Sequence, residues 1–374
     1  MQLRDLQRQY KALQPQIDEA VSRVISSGSF IMGATVSELE QQLAQYVGVD
    51  HCVACASGTD ALRLALMIWE VGPGDVVLVP DFTFFASAEV IAQMGATPIF
   101  VDVNKDTYNI DIVDLEQKVQ NIIIEGKSRI KAVIGVDLFG QPADYLELRE
   151  IADLYQFYIL EDAAQGFGGK IWNDNACSFG DISATSFFPA KPLGCYGDGG
   201  ALFTRNPEWA ALARSYMQHG KGSAKYDNVR VGLNSRLDAL QAAILQVKLQ
   251  AFPKELERVN QIATQYNEAL FSVVKTPVVQ ENHASSWAQY TIQVENAEQR
   301  DALQKALKEK EIPSAIYYPK PLHKQQAFSY LQEGNEDICP NTTQLCSTVL
   351  SLPMHPYLTD EEVELVIKTI KEFY

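Results

Sequence analysis

Phe157-Tyr158-Ile159-Leu160-Glu161-Asp162-Ala163-Ala164-Gln165 joins a short apolar run directly to two acids and an amide. A run that is apolar at successive positions, not alternate ones, reads as a strand covered on both faces, because each face of a pleated strand receives every second side chain. Upstream, Val76-Val77-Leu78-Val79 before Pro80, Pro98 to Val103 and Lys131 to Val136 are runs of the same kind. Between them, Asp60 to Trp69, Ala86 to Met94 and Tyr145 to Leu154 carry apolar residues at helical spacing. This alternation predicts an α/β fold with a mainly parallel sheet and helices on both faces. Ligands of such sheets sit outside the carboxyl ends of the strands, so the residues just after each strand are the functional candidates.

The flanks differ. Ile17, Val21, Val24 and Ile25 form a helical pattern before the turn Gly28 to Gly33, and Ser37 with Glu40 predicts a capping box for a helix carrying Leu39, Leu43 and Val47. Beyond residue 245 the character changes. Phe252 to Val273 reads as a long helix, Gln289 to Val294 as a strand, Ala297 to Lys310 as an amphipathic helix, and a last helix follows Thr359. A chain of 374 residues is long for one core. The expected division is a large domain over 1–249 and a smaller α+β domain over 250–374.

A formal charge of −16 opposes a general polyanion-binding surface, which needs clustered Lys and Arg, so no nucleic-acid partner is expected. No apolar run approaches the roughly 18 residues of a membrane span, and Met1 to Asp5 lacks an apolar stretch behind a basic start. The reading is cytoplasmic, without membrane association. The six cysteines are dispersed, as in a reducing compartment. Cys52-x-x-Cys55 has no second ligand pair at metal spacing and reads as core thiols, so no metal is assigned.

Glu161, Asp162 and Gln165 follow a strand and are expected at the mouth of the sheet. A lone Asp there would read as a helix cap. The next block, Thr185-Ser186-Phe187-Phe188-Pro189-Ala190-Lys191-Pro192-Leu193-Gly194, sets a lysine between two prolines ahead of Gly197-Asp198-Gly199-Gly200. Surface lysines on helices do not sit in such a frame. An acid at 162 and a lysine at 191 suit pyridoxal 5'-phosphate: the lysine forms a Schiff base with the aldehyde, and the acid keeps the pyridine nitrogen protonated. Gln165, one helical turn past Asp162, is expected to donate to the ring oxygen. Ser57-Gly58-Thr59 opens the Asp60 to Trp69 helix, and its backbone N–H groups can cradle a phosphate, with Ser186 as a further donor. One aromatic of Phe82-Thr83-Phe84-Phe85 is placed to stack on the ring.

Together with Gly28 to Gly33, Val231 to Gln241 and Tyr318 to Leu322, these blocks resemble, in order and over essentially the whole chain, the DegT/DnrJ/EryC1/StrS family of nucleotide-sugar aminotransferases. The resemblance implies the fold-type-I architecture of pyridoxal-phosphate enzymes, a large α/β/α domain with a smaller C-terminal α+β domain. It also implies a homodimer whose two active sites lie at the interface. Carried over by position, Lys191 is the internal aldimine lysine and acid–base, Asp162 pairs the pyridinium, and Gln165 contacts the ring hydroxyl. Gly58, Thr59 and Ser186 bind the phosphate, and Phe84 is the stacking aromatic. Gly232-Leu233-Asn234-Ser235-Arg236 matches a segment that reaches the neighbouring site, with Asn234 on the phosphate and Arg236 on the sugar.

Within the family, Thr185 to Gly200 and Ser351 to Tyr357 look like the enzymes that aminate UDP-2-acetamido-2-deoxy-3-oxo-D-glucuronate from L-glutamate in polysaccharide biosynthesis. An arginine at 236 suits a uronate carboxylate, which its fork binds through two bonds. That group has a His-Tyr pair where this chain has Tyr317-Tyr318, so both tyrosines are candidate substrate contacts, with Tyr317 a neutral group in place of a cation. A 4-aminotransferase of UDP- or dTDP-4-keto-6-deoxy sugars is the alternative. The dehydratase branch carries histidine at the lysine position, against which Lys191 counts. A catalytically silent regulatory or scaffold relative is opposed by intact Asp162, Gln165 and Lys191. His219 to Gly222 and Lys225 to Arg230 read as a polar loop without an assigned role.

Overall fold

The computed structural model describes residues 1–126, 128–224, 226–331 and 337–374; Lys225 of the polar loop lies outside them. Helices α1 (Leu6–Ser27) and α2 (Ala34–Val47) lead into β1 (His51–Cys55) and α3 (Gly58–Ile68). Then β2 (Asp75–Pro80), α4 (Ala86–Gln93), β3 (Thr97–Val101), α5 (Ile112–Glu125), β4 (Arg129–Val136), α6 (Tyr145–Tyr155) and β5 (Tyr158–Asp162) alternate. Short β6 (Lys170–Ile171) and β7 (Asp174–Asn175) precede β8 (Ile182–Ser186), β9 (Gly200–Thr204), α7 (Pro207–Tyr216) and α8 (Ala239–Leu270). The remainder is β10 (His283–Ala284), β11 (Tyr290–Gln293), α9 (Ala297–Glu309), α10 (Pro340–Thr348), β12 (Val349–Leu352) and α11 (Asp360–Phe373).

Among these residues a seven-stranded sheet runs β1-β9-β8-β5-β4-β2-β3. Strands β3, β2, β4, β5 and β8 pair in parallel, and only β9 is reversed, antiparallel to both β8 and β1. The expected α/β fold is present, for the expected reason: β2 is buried at all six positions, which a strand between two helical layers requires. The carboxyl ends of β1, β2, β4, β5 and β8 therefore point to one edge, which carries Ser57, Asp81, Asp137, Asp162 and Ser186 together with the start of β9.

A second core gathers around the β11–β12 pair, where Tyr290, Ile292, Leu350 and Leu352 pack with Tyr266, Leu303, Val363 and Ile370. Helix α8 serves both cores. Up to Phe252 its buried residues join Leu39, Leu43, Phe167 and Phe187; from Val259 they join the second core. The helix is 32 residues long and carries Pro253 internally, so residue 250 falls within a continuous helix.

The capping box read at Ser37 and Glu40 is not formed. Helix α2 starts three residues earlier, behind Gly33 at φ 91°, a backbone conformation that glycine adopts without steric cost. Glu40 is instead buried, accepting from Ala54 N–H at 2.8 Å and pairing with Arg214 at 2.9 Å. The cysteines are free and buried, as read, and burial pushes the Cys52 and Cys55 thiols up.

Candidate active site

Asp162 is the last residue of β5 and is 5% exposed. Its Oδ2 accepts from Ser87 Oγ at 2.8 Å and its Oδ1 from Ala164 N–H at 3.2 Å. Ser87 stands in the first turn of α4, where its hydroxyl also meets Thr83 Oγ1 at 3.2 Å. Burial raises the Asp162 carboxyl, and the bonds from Ser87 and Ala164 and the charge of Lys191 oppose that rise. A second cation beside this carboxylate would be favourable.

Only one of the two acids lies at the mouth of the sheet. Because β5 continues through both, their side chains alternate, and Glu161 turns to the far face. There it accepts from the N–H groups of Cys177, Phe179 and Gly180 and from Ser183 Oγ, at 2.5 to 3.2 Å. It therefore shapes the turn into β8 and has no place in the site.

Gln165 follows β5 on a turn, not on a helix, since residues 164–168 are turns. Its Oε1 accepts from Phe139 N–H at 2.6 Å, which leaves Nε2 to donate to the Tyr318 hydroxyl at 3.2 Å. Phe139 has φ 59°, and this left-handed backbone aims its N–H at the amide. The Tyr318 ring lies 6.5 Å from that of Phe84 and 6.0 Å from that of Phe82. Of the three phenylalanines, Phe82 is buried and Phe85 packs on Phe328, whereas Phe84 stands 57% exposed. An aromatic left open beside a cleft is available to a planar ligand.

Lys191 lies in the loop between β8 and β9, in a turn closed by its own N–H to Phe188 O at 2.8 Å. Burial lowers its ammonium to about 8, with Asp162 opposing the shift and Arg4 adding to it. Ser57 caps α3, accepting from Asp60 N–H at 3.1 Å. The amides of Gly58 and Thr59, in the first helical turn, have no partner among the described residues, as the start of a helix leaves them. A Cβ on Gly58 would lie 2.6 Å from Ser186 Cβ, so glycine lets the helix start rest directly on the end of β8.

Asn234 and Arg236 lie apart. Between them Ser235 turns inward, accepting from Ala56 N–H at 3.2 Å and donating to Asp60 at 2.7 Å. Asn234 is exposed, and Arg236 is half-buried without an ion pair or hydrogen bond among the described residues. With Gln218, His219, Lys221 and Asn228, Arg236 lines a cleft of about 640 Å³ that none of Lys191, Asp162, Gln165 or Phe84 lines. Tyr317 is half-buried and borders a small cavity with Arg4 and Ala190, beside the lysine loop.

One cluster could suit a metal by its chemistry: Asp81, His323 and Cys339 offer donor atoms within 4.8 Å of one another. Both Asp81 oxygens are already engaged by His323, through its N–H at 2.7 Å and Nδ1 at 2.6 Å, and the Lys118 ammonium lies 3.9 Å from the Cys339 sulfur. The trio acts as a staple joining the loop after β2 to the segment after Tyr318, with Leu322 N–H donating to Asp81 O at 3.1 Å.

The family model that describes DegT/DnrJ/EryC1/StrS aminotransferases matches residues 11–371. The chain belongs to that family. It is 41% identical over 363 residues to a UDP-2-acetamido-2-deoxy-3-oxo-D-glucuronate aminotransferase of Pseudomonas aeruginosa, covering 97% of each chain. A DegT/DnrJ/EryC1/StrS aminotransferase from Brucella abortus superposes with a TM-score of 0.96 at 47% identity, over 100% of this chain and 99% of that one. DesV of S. venezuelae, solved with a ketimine intermediate, superposes at 0.94 and 34% identity over 100% and 98%. As a family member, the protein is a pyridoxal-phosphate-dependent aminotransferase of nucleotide sugars with the fold-type-I architecture.

The site fits that cofactor. A buried carboxylate short of positive charge matches a pyridinium nitrogen, two free first-turn amides match a phosphate, and an open phenylalanine matches a planar ring. Sequence reasoning missed Ser87, Phe139 and Arg4. Ser87 sits unmarked in an apolar helical run, Phe139 acts through its backbone, and Arg4 is 187 residues from the lysine carbonyl it binds.

Proposed function

We propose that the protein transfers the amino group of L-glutamate to UDP-2-acetamido-2-deoxy-3-oxo-D-glucuronate, giving the 3-amino sugar used in polysaccharide biosynthesis. The observation that carries the catalytic part is a half-buried Lys191, lowered to about 8, within electrostatic reach of a buried Asp162 at one sheet edge. The named activity of the P. aeruginosa relative and an Arg236 without an ion pair or hydrogen bond among the described residues support the uronate. A guanidinium without a protein partner is free to take a carboxylate through two bonds.

In this reading the cofactor supplies an aldehyde that captures amino groups and a ring that withdraws electrons. Lys191 is the residue that would hold the cofactor, and its free amine would take a proton from the substrate carbon and return one. An amine with a pKa near 8 is poised for both directions. Asp162 would hold negative charge for a ring nitrogen, Gln165 would donate to a ring oxygen, and Phe84 would cover the ring. Gly58 and Thr59 N–H and the Ser186 hydroxyl take the phosphate. Tyr318 and Tyr317 contact the substrate.

Asn234 and Arg236 serve the partner's site in a homodimer. The cleft that Arg236 lines, two residues from the exposed Asn234, has none of Lys191, Asp162, Gln165 or Phe84 in its lining, and the exposed apolar Phe30, Ile31, Val229 and Val231 call for a cover. The proposed division is a large cofactor domain over 1–249 and a small domain over 250–374, and the two cores that share α8 support it. No helix among the described residues is long and apolar enough to cross a membrane, in keeping with action in the cytoplasm.

The test is the absorption spectrum of the purified protein with pyridoxal phosphate and glutamate, then with keto sugars, beside Lys191→Ala. Glutamate should bleach a Lys191-dependent band, and the 3-keto uronate should restore it. Restoration only by a 4-keto-6-deoxy sugar would overturn the substrate, and a wild-type protein without that band would overturn the site.

A further inference from the structure

Arg4 precedes α1, far in sequence from the lysine loop, yet its guanidinium donates to Lys191 O at 2.7 Å and to Pro192 O at 3.1 Å. We propose that Arg4 is the positioning residue of the catalytic lysine, fastening the loop backbone from behind and setting a fixed positive charge beside the amine. The inference rests on the reading of Lys191 as the cofactor lysine.

The fastening is two-pronged. Among the described residues no backbone N–H reaches the carbonyl of Lys191 or of Pro192, so both depend on the Arg4 side chain. Both bonds leave Nη2, so a single amino group, held in the plane of the guanidinium, bridges the two carbonyls, whereas an ammonium sits at the end of a flexible stem. Arg4 is itself held in place on both sides. Asp5 caps α1 by accepting from Arg8 N–H at 2.9 Å, Arg8 pairs with Glu362 at 2.6 Å, and Leu3 O accepts from Met354 N–H at 3.3 Å. The strut thus runs from the second core to the lysine.

The charges that act on the Lys191 amine are Asp162 at the end of β5, which favours the ammonium, and Arg4, which opposes it. Behind Arg4, Glu255 on α8 offsets part of the Arg4 charge, while Lys248 and His355 also feel it. Removing Arg4 leaves Asp162 less opposed and loosens the loop. Both changes move the lysine toward its ordinary range.

The experiment follows the rate at which the apoprotein captures pyridoxal phosphate against pH, for wild type, Arg4→Lys and Arg4→Gln, with Lys191→Ala as blank. Wild type and variants are read side by side at each pH, so the cofactor's own ionisation is common to every curve and only differences in midpoint and plateau are compared. Arg4→Gln should move the midpoint up by about half a pH unit or more, since a unit charge at this range is worth that much at a protein surface. Arg4→Lys keeps the charge and should keep the midpoint, but its shorter, flexible side chain does not hold a donor between the two carbonyls as the planar guanidinium does, and the high-pH plateau falls by roughly tenfold. A wild-type plateau in Arg4→Lys or a wild-type midpoint in Arg4→Gln overturns the proposal. Arg4→Lys decides alone if the glutamine variant fails to fold. Failure of wild type to capture cofactor through Lys191 would instead overturn the underlying site.

Discussion

Gln165 Nε2 donates to the Tyr318 hydroxyl at 3.2 Å, a bond that joins the turn after β5 to a segment lying beyond residue 310. The amide has no freedom to flip, because its oxygen is already taken by Phe139 N–H at 2.6 Å. Tyr318→Phe removes only the hydroxyl and keeps the ring beside Phe84. The loss of one neutral hydrogen bond, about 1 kcal/mol, should raise KM for the sugar roughly fivefold. The rate of the glutamate half-reaction, measured by stopped-flow absorbance, should stay unchanged.

Asp162→Asn keeps the shape of the side chain and can still accept from Ser87, but it removes the charge opposite the ring nitrogen. Cofactor content should persist while single-turnover reaction with glutamate slows by about a hundredfold or more. A near-normal rate would remove Asp162 from the machinery.

Lys191 makes the apoprotein's stability depend on pH in a defined direction. Its folded value of about 8 lies below the ordinary 10.5, so the folded state binds this proton less tightly than the unfolded one. The cost is fully present below about 8 and disappears as pH rises from there to 10.5. Lys191→Met should therefore melt higher than wild type at pH 7, with the gap closing toward pH 10.5. Calorimetry of both apoproteins across that range checks the sign.

Gly58→Ala would place a methyl 2.6 Å from Ser186 Cβ, forcing the start of α3 away from the end of β8. Overpacking of this kind costs about 1–3 kcal/mol and here displaces the free amides as well. Both Tm and cofactor affinity should fall. Gly72→Ala, whose added carbon would meet nothing within 4 Å, should change neither.

Arg236→Gln tests the carboxylate. Loss of a charged two-bond contact, about 1.5–3 kcal/mol, should raise KM for the 3-keto uronate roughly ten- to a hundredfold. The same 3-keto sugar without the carboxylate should be used as before. Equal losses on both would assign Arg236 to the nucleotide or to folding.

The parallel sheet was legible because Val76 to Val79 and Phe157 to Leu160 are apolar at every position, which only a doubly covered strand tolerates. Lys191 stood out as the candidate lysine because prolines at 189 and 192 frame it. Glu161 misled because strand alternation separates neighbours that a one-dimensional reading places together. The capping box at Ser37 failed because a positive-φ Gly33 started the helix first. Arg4, Ser87 and the Phe139 amide were not legible at all. Each acts across the fold through one or two bonds, and no local pattern records such a partnership.

The single reversed strand has a consequence for how the site keeps its dimensions. Since β9 runs back along β8, the loop that bears Lys191 begins and ends at one ladder rung, Ser186 opposite Gly200. Those two residues are also the footing of α3: Gly58 abuts Ser186, and Gly200 lies so close to Ser57 that an added Cβ would be 2.4 Å from its carbonyl carbon. In the proposed site, the seat for the phosphate and the lysine loop thus stand on the same four residues. The span between phosphate seat and lysine is set by covalent geometry and contact, not by the stiffness of a long loop.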